Sequence, residues 1–177
     1  MKAKRLGQFA EALGLSGETL RRFVVLLLFA TWFGGFTFFS AVVIPAGTRT
    51  LGSHEQMGFI TQTVTTWLNG LGVAALCVLL WNCVAAWPDD RPLLGWGLGG
   101  SWVVMVAVQV ALFATHATLD QMLDTVNHRV HDRAHFRAMH ALYVNLSQVQ
   151  WGAALLHWWC LAAVWRHLDR TGRRPAA

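Results

Sequence analysis

The chain of 177 residues is 55% hydrophobic and only 13% charged, with a formal net charge of +5 and a mean hydropathy of +0.41. A soluble domain carries about 25% charged residues, so this composition, with ten tryptophans and ten phenylalanines, excludes an ordinary soluble domain and indicates a bilayer with aromatic belts. The positive charge does not imply nucleic acid, because the basic residues stand at the chain ends and in loops beside apolar runs.

Residues 1–22 are polar and basic, and Leu6, Phe9, Ala10 and Leu13 recur at i, i+3, i+4 and i+7. This predicts an amphipathic helix at the cytoplasmic surface, with Ser16 positioned to cap the helix that then enters the membrane. The apolar stretch is too long for a secretory signal and no A-x-A site follows it. The first apolar run, about 23–44, is long enough for a hydrocarbon core of roughly 30 Å. It holds Trp32-Phe33-Gly34-Gly35 and is expected to end at Pro45. Paired glycines inside a span mark close approach of helices.

In the loop that follows, Ser53-His54-Glu55-Gln56 reads as a capping box opening a short interfacial helix. The second run, about 64–87, carries Trp67 and Trp87 at its ends, and Pro88-Asp89-Asp90-Arg91-Pro92 is a tight turn. The third run covers about 93–117 and the fourth about 141–165, followed by a basic tail at 169–177. Lys and Arg number ten on the side of both termini and four on the other, which predicts cytoplasmic termini. The expected fold is an all-α integral membrane protein, a four-helix antiparallel bundle over residues 23–168 in a bacterial inner membrane. Its third and fourth helices are expected to project beyond the outer side.

Between residues 101 and 151 there is no glycine or proline, so an unbroken helical path is expected there. His116, Asp120, Asp124 and His128 recur every fourth residue. On one continuous helix Asp124, His128, His131 and His135 share a wedge about 60° wide. Such a set offers nitrogen and oxygen ligands to a divalent ion such as zinc or copper. Against this, Arg129, Arg133 and Arg137 share the spacing, so a solvated, salt-bridged helix explains the same pattern. A break at Asn127 or Asp132 would also dissolve the wedge.

His116 leaves the third run and His140 enters the fourth, a placement that suits bis-imidazole haem ligation. An interfacial hydrogen bond to Tyr143, Asn145 or Gln148 is the competing reading. Within the runs, Gln109, Asn145, Gln148, Gln150 and His157 are the polar exceptions, either a pathway or glue between helices. Cys77, Cys83 and Cys160 lie in apolar runs without a CxxC motif and are expected to be inert packing groups. No Ser-His-Asp or Cys-His set and no phosphate-binding glycine loop is legible, so an enzyme is not expected.

Three pieces of the chain resemble a known family. Trp32-Phe33-Gly34-Gly35 is followed by Phe36, Phe38, Phe39 and Pro45; Leu51, Glu55 and Gly58 lead to Trp67-Leu68-Asn69; Phe136 and His140 precede Leu142. Together they resemble the transmembrane protein 205-like family, with its bacterial members of domain of unknown function 4149, over about residues 23–166. The resemblance implies a four-span protein with no established reaction, similar in layout to copper-resistance membrane domains. It carries over the glycine-aromatic run and His140, whereas the dense histidines at 128–135 lie outside its pattern. The expected function is therefore a non-enzymatic structural or accessory membrane component, with metal handling or small-solute transport and a haem anchor as alternatives. Expected partners are the lipid bilayer and a second copy or a larger membrane complex.

Overall fold

The computed structural model describes residues 16–124, 129–130 and 132–172. The chain is helical: α1 Gly17–Phe38, a π-helical turn Phe39–Val43, α2 Ile44–Leu51, α3 His54–Ala85, α4 Pro92–Gln121 and α5 Arg133–Thr171. Three stretches are long and apolar enough to cross a membrane: Gly17–Leu51, Gln56–Ala85 and Pro92–Gln121. Large apolar side chains face outward, with Trp67 78% and Leu93 87% exposed, while Asn82 and His157 are fully buried. Polar groups inside and tryptophans outside are the arrangement expected when hydrocarbon, not water, surrounds the protein.

Ser16 caps α1 as expected, its hydroxyl accepting from the Thr19 N–H at 3.1 Å. The inner stripe of α1 is Arg21, Val25, Phe29 and Trp32, a helical period that turns one face to the core. Pro45 does not end this helix. The backbone widens into the π turn, where the Ile44 N–H reaches the Phe39 carbonyl, and Pro45 occupies the first turn of α2. A proline ring presses on the carbonyl four residues earlier and offers no N–H; the wider turn ahead of it relieves that conflict. Gly52, with φ +63°, then closes α2 in a left-handed conformation that glycine adopts without penalty.

Ser53 caps α3 through the Gln56 N–H at 3.3 Å. The helix it opens is one element of 32 residues, not the short interfacial helix expected. The turn before α4 is held by the Arg91 N–H on the Pro88 carbonyl at 3.0 Å, and Pro92 opens α4 at a position where its missing N–H costs nothing.

The unbroken path expected across residues 101–151 is overturned. α4 stops at Gln121, and Leu123–Asp124 pairs antiparallel with Arg129–Val130. Asp132 then starts α5 from a left-handed backbone, φ +46°, its carboxylate accepting from the His135 N–H. An aspartate is at home in that conformation and as a helix cap, so capping chemistry defeats the periodicity. Both helices nevertheless run past the predicted spans, to Gln121 and from Arg133.

The packing order is α1 on α3, α3 on α4, and α4 most extensively on α5. Leu98, Met105, Ala154, Leu161 and Val164, each fully buried, form the α4–α5 seam of the core. α1 meets α5 through large side chains: Phe29 stacks on Trp158 at 5.1 Å and Phe33 on Trp151 at 5.6 Å. At the far end Arg22 binds both oxygens of Asp169, at 2.7 and 3.0 Å. It also pairs with Glu18 and lies over the Trp165 ring.

The Gly34-Gly35 pair is not where helices approach most closely. A side chain at Gly34 would meet nothing within 4 Å, and one at Gly35 only an ordinary contact with Leu68. One tight position between helices is Gly72, where a Cβ would fall 2.8 Å from Gln109 Oε1 and from Trp32 Nε1. Gly72→Leu is therefore expected to lower stability in detergent by about 1–3 kcal/mol through overpacking. Gly70, on the same helix with nothing within 4 Å, should accept leucine without loss. Equal thermal midpoints for the two variants would contradict this packing.

The Arg22 hydrogen bond holds the Asp169 carboxyl below its usual range. A carboxyl depressed by folding adds stability above its unfolded value, about 3.9, and loses it as pH falls through the lower folded value. Thermal unfolding of wild type and Asp169→Asn should thus differ at pH 6 and converge in strong acid.

Candidate functional site

A cavity of about 750 Å³ opens where α1, the π turn, α2, the start of α3, the end of α4 and the start of α5 come together. Phe36, Phe39, Phe136, Val144 and Trp151 contribute to its walls, and Thr65, His116, Asp120 and Tyr143 line its polar side. It exists because α1 is held off α5 by the stacked Phe33 and Trp151 rings and by the Trp151 N–H on the Thr37 hydroxyl at 3.1 Å. The π turn places Phe39 and Ser40 on its lining.

The polar side is built on helical spacing. His116 and Asp120, one turn apart on α4, meet at 3.0 Å between Nδ1 and Oδ2. The Gln62 amide N–H donates to the other Asp120 oxygen at 2.9 Å. His116 Nε2 lies 2.9 Å from the Thr65 hydroxyl. That hydroxyl has one proton and two further acceptors in reach, the carbonyls of Thr61 at 2.7 Å and Gln62 at 3.1 Å. If it donates to His116, the imidazole is neutral and the array carries the aspartate charge. If it donates to a carbonyl, His116 donates from both nitrogens as imidazolium and the array is neutral. One geometry therefore accommodates two charge states.

Behind this array a ladder of amides crosses the helices. Gln150 Nε2 donates to Gln109 Oε1 at 3.4 Å, Gln109 Nε2 to Asn69 Oδ1 at 3.3 Å, and Asn69 Nδ2 to the Tyr143 hydroxyl at 3.3 Å. Asn69, Gln109 and Gln150 are all buried. A second void of about 20 Å³ adjoins them, enough for one water, and Gln150 Oε1 has no partner among the described residues.

The predicted residues divide clearly. His116, His140 and Gln148 line the cavity, and Gln109 is the centre of the ladder. His116 places its ring nitrogens against Asp120 and Thr65, so its hydrogen-bond partners are not the three expected. His140 is exposed and stacked on Phe136 at 6.1 Å. His157 stands apart on α5, fully buried, with Nδ1 2.9 Å from the Ser101 hydroxyl. That hydroxyl also lies 3.0 Å from the Leu98 carbonyl, and His157 Nε2 has no partner among the described residues.

Of the proposed metal set, His128 and His131 lie outside the described residues, as does the Asp124 side chain, and His135 is exposed. Among the described residues no group of three His, Cys, Asp or Glu side chains could hold a metal ion. The break at Asp132 removes the single helix on which the wedge depended.

Sequence reasoning missed Thr65, Gln62 and Asn69. Asp120, His116 and Thr65 line up in the order of a hydrolytic triad. Thr65, however, lies inside α3, where the neighbouring N–H groups are held in helical bonds and none is free to receive an oxyanion. Bonding of a threonine hydroxyl to the carbonyl one turn back is common in helices. Comparison with family models, curated proteins and solved structures finds no match.

Gln109→Leu should strand both Gln150 Nε2 and Asn69 Oδ1 and lower stability by about 1–2 kcal/mol. Gln148→Leu, at an exposed position, should change it little. Denaturant titration of both variants in mixed micelles measures the difference.

Proposed function

We propose that the protein is a non-enzymatic integral membrane protein that holds a small amphipathic molecule in the cavity at one end of its bundle. In this reading α5 is the fourth span, the helices alternate in direction, and both termini are cytoplasmic. Contacts that pair low numbers with high ones support the alternation, as with Thr65 to His116 and Leu76 to Trp102. The positive-inside count supports the orientation. It places the cavity, beside residues 36–58 and 119–151, at the outer side. The reading rests on this geometry; the resemblance to the transmembrane protein 205-like family adds layout alone.

The observation that carries it is the cavity itself. Its volume lies within the 300–1,000 Å³ of small-molecule sites, with apolar walls and a few convergent polar groups on one side. A protein that only stacked helices would have no need to hold two of them apart on tryptophan and phenylalanine. Gly58 lines the cavity and has nothing within 4 Å of a built Cβ, so Gly58→Phe is the substitution chosen to place a ring there. Gly34, exposed and equally open, is outside the lining. Gly58→Phe is expected to abolish saturable binding of the neutral fluorescent amphiphile N-phenyl-1-naphthylamine in nanodiscs, and Gly34→Phe to retain it. Identical titrations for both variants would defeat the reading.

A further inference from the structure

Charge around the cavity narrows the ligand class. Asp120 is the one carboxylate among its described lining residues, and no lysine or arginine joins it. Five aromatic side chains, Phe36, Phe39, Phe136, Tyr143 and Trp151, share the lining. Aromatic faces attract cations and gain strength when water is excluded. An anionic head would find no lysine or arginine among the described lining residues and would meet the Asp120 charge whenever that carboxylate is uncompensated, at a cost set by desolvation as well as repulsion.

We propose that the cavity takes a lipophilic monocation, an aromatic or quaternary onium ion, with Asp120 as its counter-charge and the aromatic walls as its cage. This rests on the ligand-holding reading above and names the ligand that reading leaves open. The cation selects between the two charge states of the array. Asp120 is uncompensated when the Thr65 proton points to His116 Nε2, and is neutralised when His116 is imidazolium. Binding therefore favours neutral His116 and releases a proton whenever the imidazolium was populated, so cation and proton compete for one carboxylate. No bond is made or broken beyond that proton transfer to solvent. The other titratable groups on the lining come from α5, His140 and Tyr143; α1, the π turn, α2 and α3 contribute none among the described residues.

The gap between α1 and α5 gives such a ligand its path. Those helices meet through rings, not through close backbone packing, so a flat or globular aromatic ion needs only side-chain rotation to pass. A phospholipid bearing a choline head offers the same cation, but brings a phosphate for which the described lining holds no lysine or arginine.

The test is equilibrium dialysis of the full chain in dodecylmaltoside with tetraphenylphosphonium, and with triphenylphosphine oxide as a neutral molecule of similar shape. The expected result is saturable phosphonium binding that weakens at least tenfold in Asp120→Asn, while binding of the neutral oxide is unchanged. Phosphonium affinity should also fall as pH drops from 8 to 5.5. That fall should persist in His140→Gln and disappear in His116→Gln at whatever affinity remains. Displacement of the phosphonium by a short-chain phosphatidylcholine, but not by phosphatidylglycerol, would assign the cation to a lipid head and overturn the free-ion form. If the oxide binds and the phosphonium does not, or if Asp120→Asn binds both alike, the cation proposal fails and the cavity reading stands. If the folded wild type binds neither, both fail. The wild-type comparison of charged and neutral probes needs no variant, so a misfolded Asp120→Asn leaves it intact.

Discussion

Buried side-chain amides that bond from one helix to the next hold the helices of this protein in register. Gln150, Gln109 and Asn69 form a directed chain from α5 through α4 to α3, which ends on the Tyr143 hydroxyl back on α5. Apolar packing sets how closely helices lie, but a smooth apolar seam in lipid has little reason to prefer one vertical offset over another. A donor that must meet its acceptor does. Each link is worth on the order of 1 kcal/mol or less, and shifting any one of the three helices by a turn would break two of them together. Gly72 belongs to the same device, because its missing side chain is what admits Gln109 and the Trp32 indole to the same spot.

The cavity follows from this registration. With α3, α4 and α5 fixed by amides and core packing, α1 packs on α3, and its aromatic contacts with α5 fall at residues 29–33. Beyond Phe33 the π turn redirects the chain, and the space left behind is lined by whatever the neighbouring helix ends present. They present one acid, two histidines, hydroxyls and rings. The site is thus a product of how the helices diverge, and its chemistry sits where α4 and α5 have not yet closed on one another.

What the sequence made legible followed from length and polarity. Runs of apolar residues announced the long helices, and Ser16 and Ser53 announced two helix starts through chemistry that is local to a few residues. The four-residue step from His116 to Asp120 was visible in the sequence, but the pair it forms was not the expected one, which was a bond to Tyr143, Asn145 or Gln148. Thr65 and Gln62 were invisible because their partners stand 51 and 58 residues away, and nothing in a threonine-rich stretch says which hydroxyl faces inward. The histidine wedge failed for the opposite reason: its periodicity was real, yet Asp132 could stabilise a fresh helix start more readily than a mid-helix position. Pro45 misled in a similar way, since a widened turn let the helical path continue past it.

Among the long helices, α5 is the one absent from the set apolar enough to cross a membrane by itself. It carries Gln148, Gln150 and His157 along with its tryptophans, groups that a lone segment would have to strip of water before any partner arrived. On α4, Gln109 and Ser101 stand within hydrogen-bond reach of Gln150 and His157 and give them partners. In the four-span reading proposed above, α4 and α5 belong in the membrane as a pair, so a change on α4 that removes one of these partners weakens the hold on α5 as well.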